Sequence, residues 1–160
     1  MIQAPPKRPT QWWRRREWRK YAEDLFRFYS HRRNYAITLD PNTSLIAAVD
    51  PDNRLVIINP NLPEPNRTTT QLRETPAPQH RTATILKALL AHEAAHVRYS
   101  RQKPTGLIGQ LWNALEDERI ERLITQDHPD LEPAFTHLGD IMLTRHQKTN
   151  PPTALEGCLV

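Results

Sequence analysis

Cysteine is almost missing from this chain. Cys158 stands alone among 160 residues, so no intramolecular disulfide can form and no Cys-rich zinc module can be built. Any metal centre must therefore use histidine and carboxylate. A long apolar run is missing too: nothing approaches the roughly 18 apolar residues of a membrane span. The opening "MIQAPPKRPTQWWRRREWRK" has no apolar signal-peptide core. The expectation is a soluble, cytoplasmic protein with no membrane partner.

Hydrophobic residues make up 38% of the sequence and prolines number 15. A chain of this length fits one domain over 1–160, with a flexible lead at 1–11 and a proline-rich loop at 60–80. The net charge of +4 is concentrated at one end. Residues 1–33 hold ten Lys/Arg against three Asp/Glu, a balance of +7, which leaves −3 for residues 34–160. Basic character thus belongs to the start of the chain and does not imply nucleic acid as partner of the whole.

Over 12–29, Trp18, Tyr21, Ala22, Leu25, Phe28 and Tyr29 recur at three- and four-residue steps between Arg and Lys, which predicts an amphipathic helix. Three short apolar runs follow at 35–39, 44–49 and 54–59, separated by "DPNT" and "DPDN". Asp at the first turn position accepts backbone hydrogen bonds and Pro at the second presets φ, so both tetrapeptides read as tight turns of a small antiparallel meander. Helical periodicity returns at about 82–100, 107–125 and 131–147. The predicted fold is α+β, with an N-terminal helix, a small antiparallel sheet and a helical half.

The second helix contains "LLAHEAAHVRY", Leu89 to Tyr99. At about 3.6 residues per turn, His92 and His96 project from one face a turn apart, close enough to bind one ion. Glu93, offset by about 100°, sits beside the ion and can take a proton from its water without being a ligand. This HExxH arrangement is that of metal-assisted hydrolysis. The competing reading is a pair of hydrogen-bonded histidines on a core-facing helix.

A third ligand is sought in "LWNALEDERIERLI", Leu111 to Ile124. On a helical wheel Trp112, Leu115, Ile120 and Leu123 form an apolar stripe that includes Glu116 and Arg119. Asp117 falls at its edge, and Glu118 and Glu121 fall on the polar side. A carboxylate facing a core needs a cation, so Glu116 is expected to meet either a metal or Arg119.

At these residues the chain resembles a gluzincin, the zinc metallopeptidase class in which HExxH on one helix is completed by Glu from a following helix. "AHEAAHVRYS" and "NALEDERIERL" are most similar to small metallopeptidase-like domains that often precede a von Willebrand A domain, as in cobaltochelatase-type subunits. The resemblance is close over about 82–125. It implies a Zn2+ site with His92, His96 and Glu116 as ligands and Glu93 as general base. Asn113, Asp117, Arg119 and Glu121 would support them. It also implies a peptide or protein substrate, and, since no von Willebrand A domain follows within these 160 residues, either a fragment of a longer protein or a partner domain encoded separately. Thermolysin-like members place an Asp four residues after the ligand Glu to hold a histidine. Ile120 stands there, so that role passes to Asp117 or Glu121 or is unfilled.

An oxyanion-facing residue is sought among Tyr99, His128, His137 and His146, none singled out by spacing. His31 and His80, among polar neighbours, read as surface residues. Two other functions compete with the peptidase: a catalytically silent, zinc-stabilised protein-interaction module, and a nucleic-acid adaptor. The adaptor would use Trp12, Trp13 and Trp18 with Arg14, Arg15, Arg16 and Arg19. A helix that packs its aromatics and solvates its arginines is the favoured reading of that segment.

Overall fold

A computed structural model of the chain describes residues 11–61, 78–100 and 106–149. Most of the expected lead at 1–11 and of the loop at 60–80 lies outside them. Trp12 enters the core from a 3-10 turn, Trp12–Arg14, and its ring lies 4.8 Å from that of Trp18. Helix α1, Arg16–Ser30, then buries Trp18, Ala22, Leu25, Phe26 and Tyr29, which share one face at steps of three and four. His31 ends it in the left-handed region and donates its backbone N–H to the Arg27 carbonyl. Phe28, expected inside, is 44% exposed, and Phe26 takes the core position. Phe28 lies against the rings of Tyr29 and His128 instead.

Both Asp-Pro tetrapeptides turn the chain. The Asp40 carboxylate accepts the Asn42 N–H, and that of Asp50 accepts the Asn53 N–H. The strands are β1 (Ala36–Leu39), β2 (Ala47–Asp50) and β3 (Leu55–Ile58). Their order is β1-β3-β2, with β2 antiparallel and β1 parallel to β3. This corrects the expected all-antiparallel meander. Only the second turn closes a hairpin. The first leads into a crossing over the end of β3, where Asn59 and Asn61 donate side-chain hydrogen bonds to the Thr43 and Pro41 carbonyls. The most apolar run, "LVII", takes the centre, where Val56 and Ile58 are wholly buried.

Helix α2, Pro78–Tyr99, starts on a proline whose missing N–H costs nothing at a helix N-terminus. It runs through the middle of the molecule. Ala88, Ala91, Ala94 and Ala95 are buried along with Ile85, Leu86, Leu89 and Leu90, and these small residues let neighbouring backbones approach closely. α1, α3 (Gly106–Asp127), α4 (Glu132–Thr149) and β2 all pack on it. Lys87 reaches Asp130 in the turn before α4 at 2.6 Å, and Arg98 donates to the Tyr29 carbonyl of α1. Among the described residues no helix is long and apolar enough to cross a membrane.

Candidate metal centre

Where β2, α2 and α3 meet, a cleft of about 820 Å³ opens beside His92, Glu93, His96 and Asp117. Its walls include Tyr35, Val49 and Trp112. One turn of α2 brings the two histidines together, with the Nε2 atoms 3.2 Å apart. Asp117 Oδ1 comes from α3 to 3.3 Å from Nε2 of His96 and 3.8 Å from that of His92. These three residues form a group able to hold one metal ion, each offering one ligand atom, all within 4.8 Å of one another.

The hydrogen bonds behind the cluster decide which atoms face it. His92 Nδ1 lies 2.8 Å from Glu121 Oε1, a carboxylate that can only accept. His92 therefore donates from Nδ1 and turns a lone pair on Nε2 toward the cluster. His96 Nδ1 lies 2.8 Å from Ser100 Oγ, and the Ser100 hydroxyl in turn donates to Glu116. His96 is thereby fixed in the same tautomer. Asp117 Oδ2 accepts from Asn113 at 3.0 Å, while Oδ1 is buried and makes no hydrogen bond. Two nitrogen lone pairs and a carboxylate oxygen thus converge with no hydrogen between them. Such a donor set fits a cation, and imidazole with carboxylate suits Zn2+.

The surrounding charge fits as well. Burial alone would depress the His92 pKa, but the Glu121 hydrogen bond and the charges of Glu93, Glu121 and Asp117 outweigh it and raise it. Glu93, 5% exposed, has its pKa pushed up to about 7 by burial, against the opposing charge of His92. The Val49 N–H of β2 donates to its carboxylate.

Of the expected site residues, His92, Glu93 and His96 stand together as the motif required. Glu116 does not join them. It is inside, 6% exposed, but both its oxygens accept from Arg119 at 2.6 Å. Its pKa is lowered by that hydrogen bond first, then by those from Ser100 and by the charge of His96. The carboxylate of the cluster is Asp117, one residue on. The phase of α3 is the cause: Leu115, assigned to the apolar stripe, is 67% exposed, and the buried line runs through Glu116, Ile120 and Ile124. That places Asp117, at the edge of this line, beside the histidines.

The shift by one residue also fills the histidine-holding position. Four residues after Asp117 comes Glu121, not Ile120, and Glu121 holds His92. Of the oxyanion candidates, Tyr99 donates its hydroxyl to Asp127 at 2.6 Å, and His128 lies against the rings of Phe28 and Tyr29. His137 borders neither the cleft nor the metal group, and the His146 side chain lies outside the description. Tyr35, Trp112 and Ser100 were missed. Nothing local marks Tyr35 or Trp112, whereas Ser100, four residues after His96, had a helical signal. Comparison with protein-family models, curated proteins and solved structures returns no match to this chain.

Proposed function

We propose that this chain is a zinc-dependent peptidase domain of HExxH type in which His92, His96 and Asp117 hold the ion, with an Asp in place of the Glu that defines a gluzincin. The observation that carries this reading is the convergence of two histidine ring nitrogens and an Asp117 oxygen that makes no hydrogen bond, beside a buried glutamate. An ion held there supplies Lewis acidity toward a carbonyl oxygen and acidifies water. Glu93 then takes a proton from the water attacking the peptide carbonyl and delivers it to the amine nitrogen as the C–N bond breaks. Glu121 keeps the His92 ring and tautomer fixed throughout. Ser100, backed by Glu116 and Arg119, does so for His96.

β2 supplies the track for an extended peptide. The Asn59 N–H donates to the Ile46 carbonyl, so in the antiparallel alternation Ala48 and Asp50 face β3. Ala47 and Val49 therefore turn their backbone groups to the other edge, where no described strand pairs. Glu93 takes the Val49 N–H, which leaves the Ala47 N–H and C=O and the Val49 C=O for a substrate backbone.

The experiment compares wild type with Glu93→Gln on unstructured protein and a peptide library with zinc supplied. Wild type should cleave, and Glu93→Gln should lose about 100-fold or more at unchanged zinc content. Equal cleavage by both contradicts the proposal. One observation favours the silent zinc-stabilised module as second reading: neither Tyr99 nor His128 faces the cleft. Absence of cleavage with zinc bound, and unaltered partner binding in Glu93→Gln, would favour it. The nucleic-acid adaptor has less support, because Trp12 and Trp18 are buried and unavailable for base stacking.

A further inference from the structure

We infer that the exposed arginines at the start of α1, Arg14, Arg15, Arg16 and Arg19, form a docking surface for the phosphodiester backbone of double-stranded nucleic acid. The inference stands apart from the peptidase reading, because these residues lie on the 3-10 turn and on α1, whereas the metal group stands on α2 and α3.

All four side chains are exposed. Among the described residues none of their guanidinium groups joins an ion pair, whereas Lys20 and Arg27, farther along α1, share Asp24. Glu17 is the one carboxylate between Arg14 and Arg19, and residues 1–10 add Lys7 and Arg8 but no acid. Folding does not call for arginine here. Cations are unfavourable at the positive end of a helix, and Arg15 stands at the N-cap of α1 without a side-chain capping hydrogen bond. Arg15 and Arg16 precede Arg19 by four and three residues, which puts the three on one side of the helix. The positive end of α1 adds its own field to theirs.

The character of the surface selects among anionic partners. Guanidinium grips phosphate oxygens as a planar fork, and dense phosphate charge alone can drive association. An anionic membrane would also need apolar side chains to enter the bilayer, but none of the exposed large apolar residues among those described falls within residues 12–20. The same lack disfavours an acidic protein, whose interface needs buried apolar or aromatic anchors at its centre. A single strand stacks its bases on aromatic rings, yet Trp12 and Trp18 are buried and Trp13 packs edge-on against Trp12. A duplex needs neither feature, since its bases stack on one another and its charge lies outside. Charge is what docks here, so binding should not depend on base sequence.

The test titrates the chain, with zinc supplied, against a short DNA duplex at salt from about 50 to about 200 mM. Four phosphate contacts predict that log affinity falls against log salt with a slope of at least about 3.6, so affinity should drop roughly 100-fold or more over that range. Arg14→Gln, Arg15→Gln, Arg16→Gln and Arg19→Gln combined should take about 3.6 from the slope. Zinc content should be unchanged and the melting temperature no lower, because the start of α1 loses unfavourable cations. Arg15→Gln with Arg16→Gln should remove about 1.8 of the slope. Arg32→Gln with Arg33→Gln, exposed arginines past the other end of α1, takes away the same charge and should remove much less. No duplex binding at the lowest salt, an unaltered slope in the fourfold variant, equal losses from the two pairs, tighter binding of a single strand, or capture by vesicles rich in anionic lipid without capture by the duplex would each overturn the inference. The peptidase reading fails separately: Glu93→Gln should bind the duplex as wild type does, whether or not wild type cleaves.

Discussion

Where α1 packs on α2, Trp18, Ala22, Leu25, Phe26 and Tyr29 are buried and no charged residue of α1 is. Where α3 packs on the same helix, Glu93 and Glu116 are buried, and Asp117 and Glu121 lie half-buried beside two histidines. One face of α2 thus joins a seam held by area removed from water, and another joins a seam loaded with acid. An uncompensated carboxylate inside a protein is costly. Glu116 has Arg119 as compensation, whereas Glu93 and Asp117 have none beyond the histidines. The first seam holds the fold together, and the second has a geometry that could hold a cation.

The largest effect on stability should come from the aromatic seam. Trp18→Ala removes a wholly buried ring and should lower unfolding free energy by about 3–5 kcal/mol, read by chemical denaturation. A loss as small as that of an exposed residue would erase the contrast between the seams. In the acidic seam the sign should depend on the metal. For chelated protein, a Glu93 carboxyl moved from 4.5 to about 7 makes the folded state bind more protons between those values. Stability then falls as pH rises through that window, by on the order of 3 kcal/mol in all. The raised His92 acts in the same direction: its contribution is full below its ordinary 6.5 and is lost as pH rises through the folded value. Zinc requires the deprotonated ligands, so the loaded protein should instead gain stability over the same pH rise. Thermal melts with and without chelator from pH 5 to 8 test this, and parallel trends would contradict it.

A smaller effect separates ligand from support. Glu121→Gln keeps every ligand but weakens the hold on His92, and should cost about 10- to 100-fold in zinc affinity by competition titration. No change would mean that the 2.8 Å contact has no part in binding.

The motif helix, the aromatic helix and both Asp-Pro turns were legible because each depends on residues close in sequence: a helical period, a capping side chain, a preset φ. The strand order was not, since the placing of β1 against β3 depends on a crossing held by Asn59 and Asn61, far along the chain from the residues they grip. The carboxylate that stands beside the histidines, Asp117, comes one residue after the expected Glu116 for a related reason. Apolar residues on α3 define a stripe only if all of them pack, and Leu115 does not. Which edge of that stripe meets His92 and His96 is set by the contact of α3 with α2. Glu116 was rightly read as inside and in need of a cation, and the cation it found is Arg119.

Zinc stoichiometry of purified Asp117→Asn and Glu116→Gln protein, each beside wild type after equilibration with equimolar zinc, tests the central claim most directly. Wild type and Glu116→Gln should hold one zinc per chain, and Asp117→Asn should lose most of it. A zinc-free Glu116→Gln together with a fully loaded Asp117→Asn would contradict the assignment of His92, His96 and Asp117 as the metal centre.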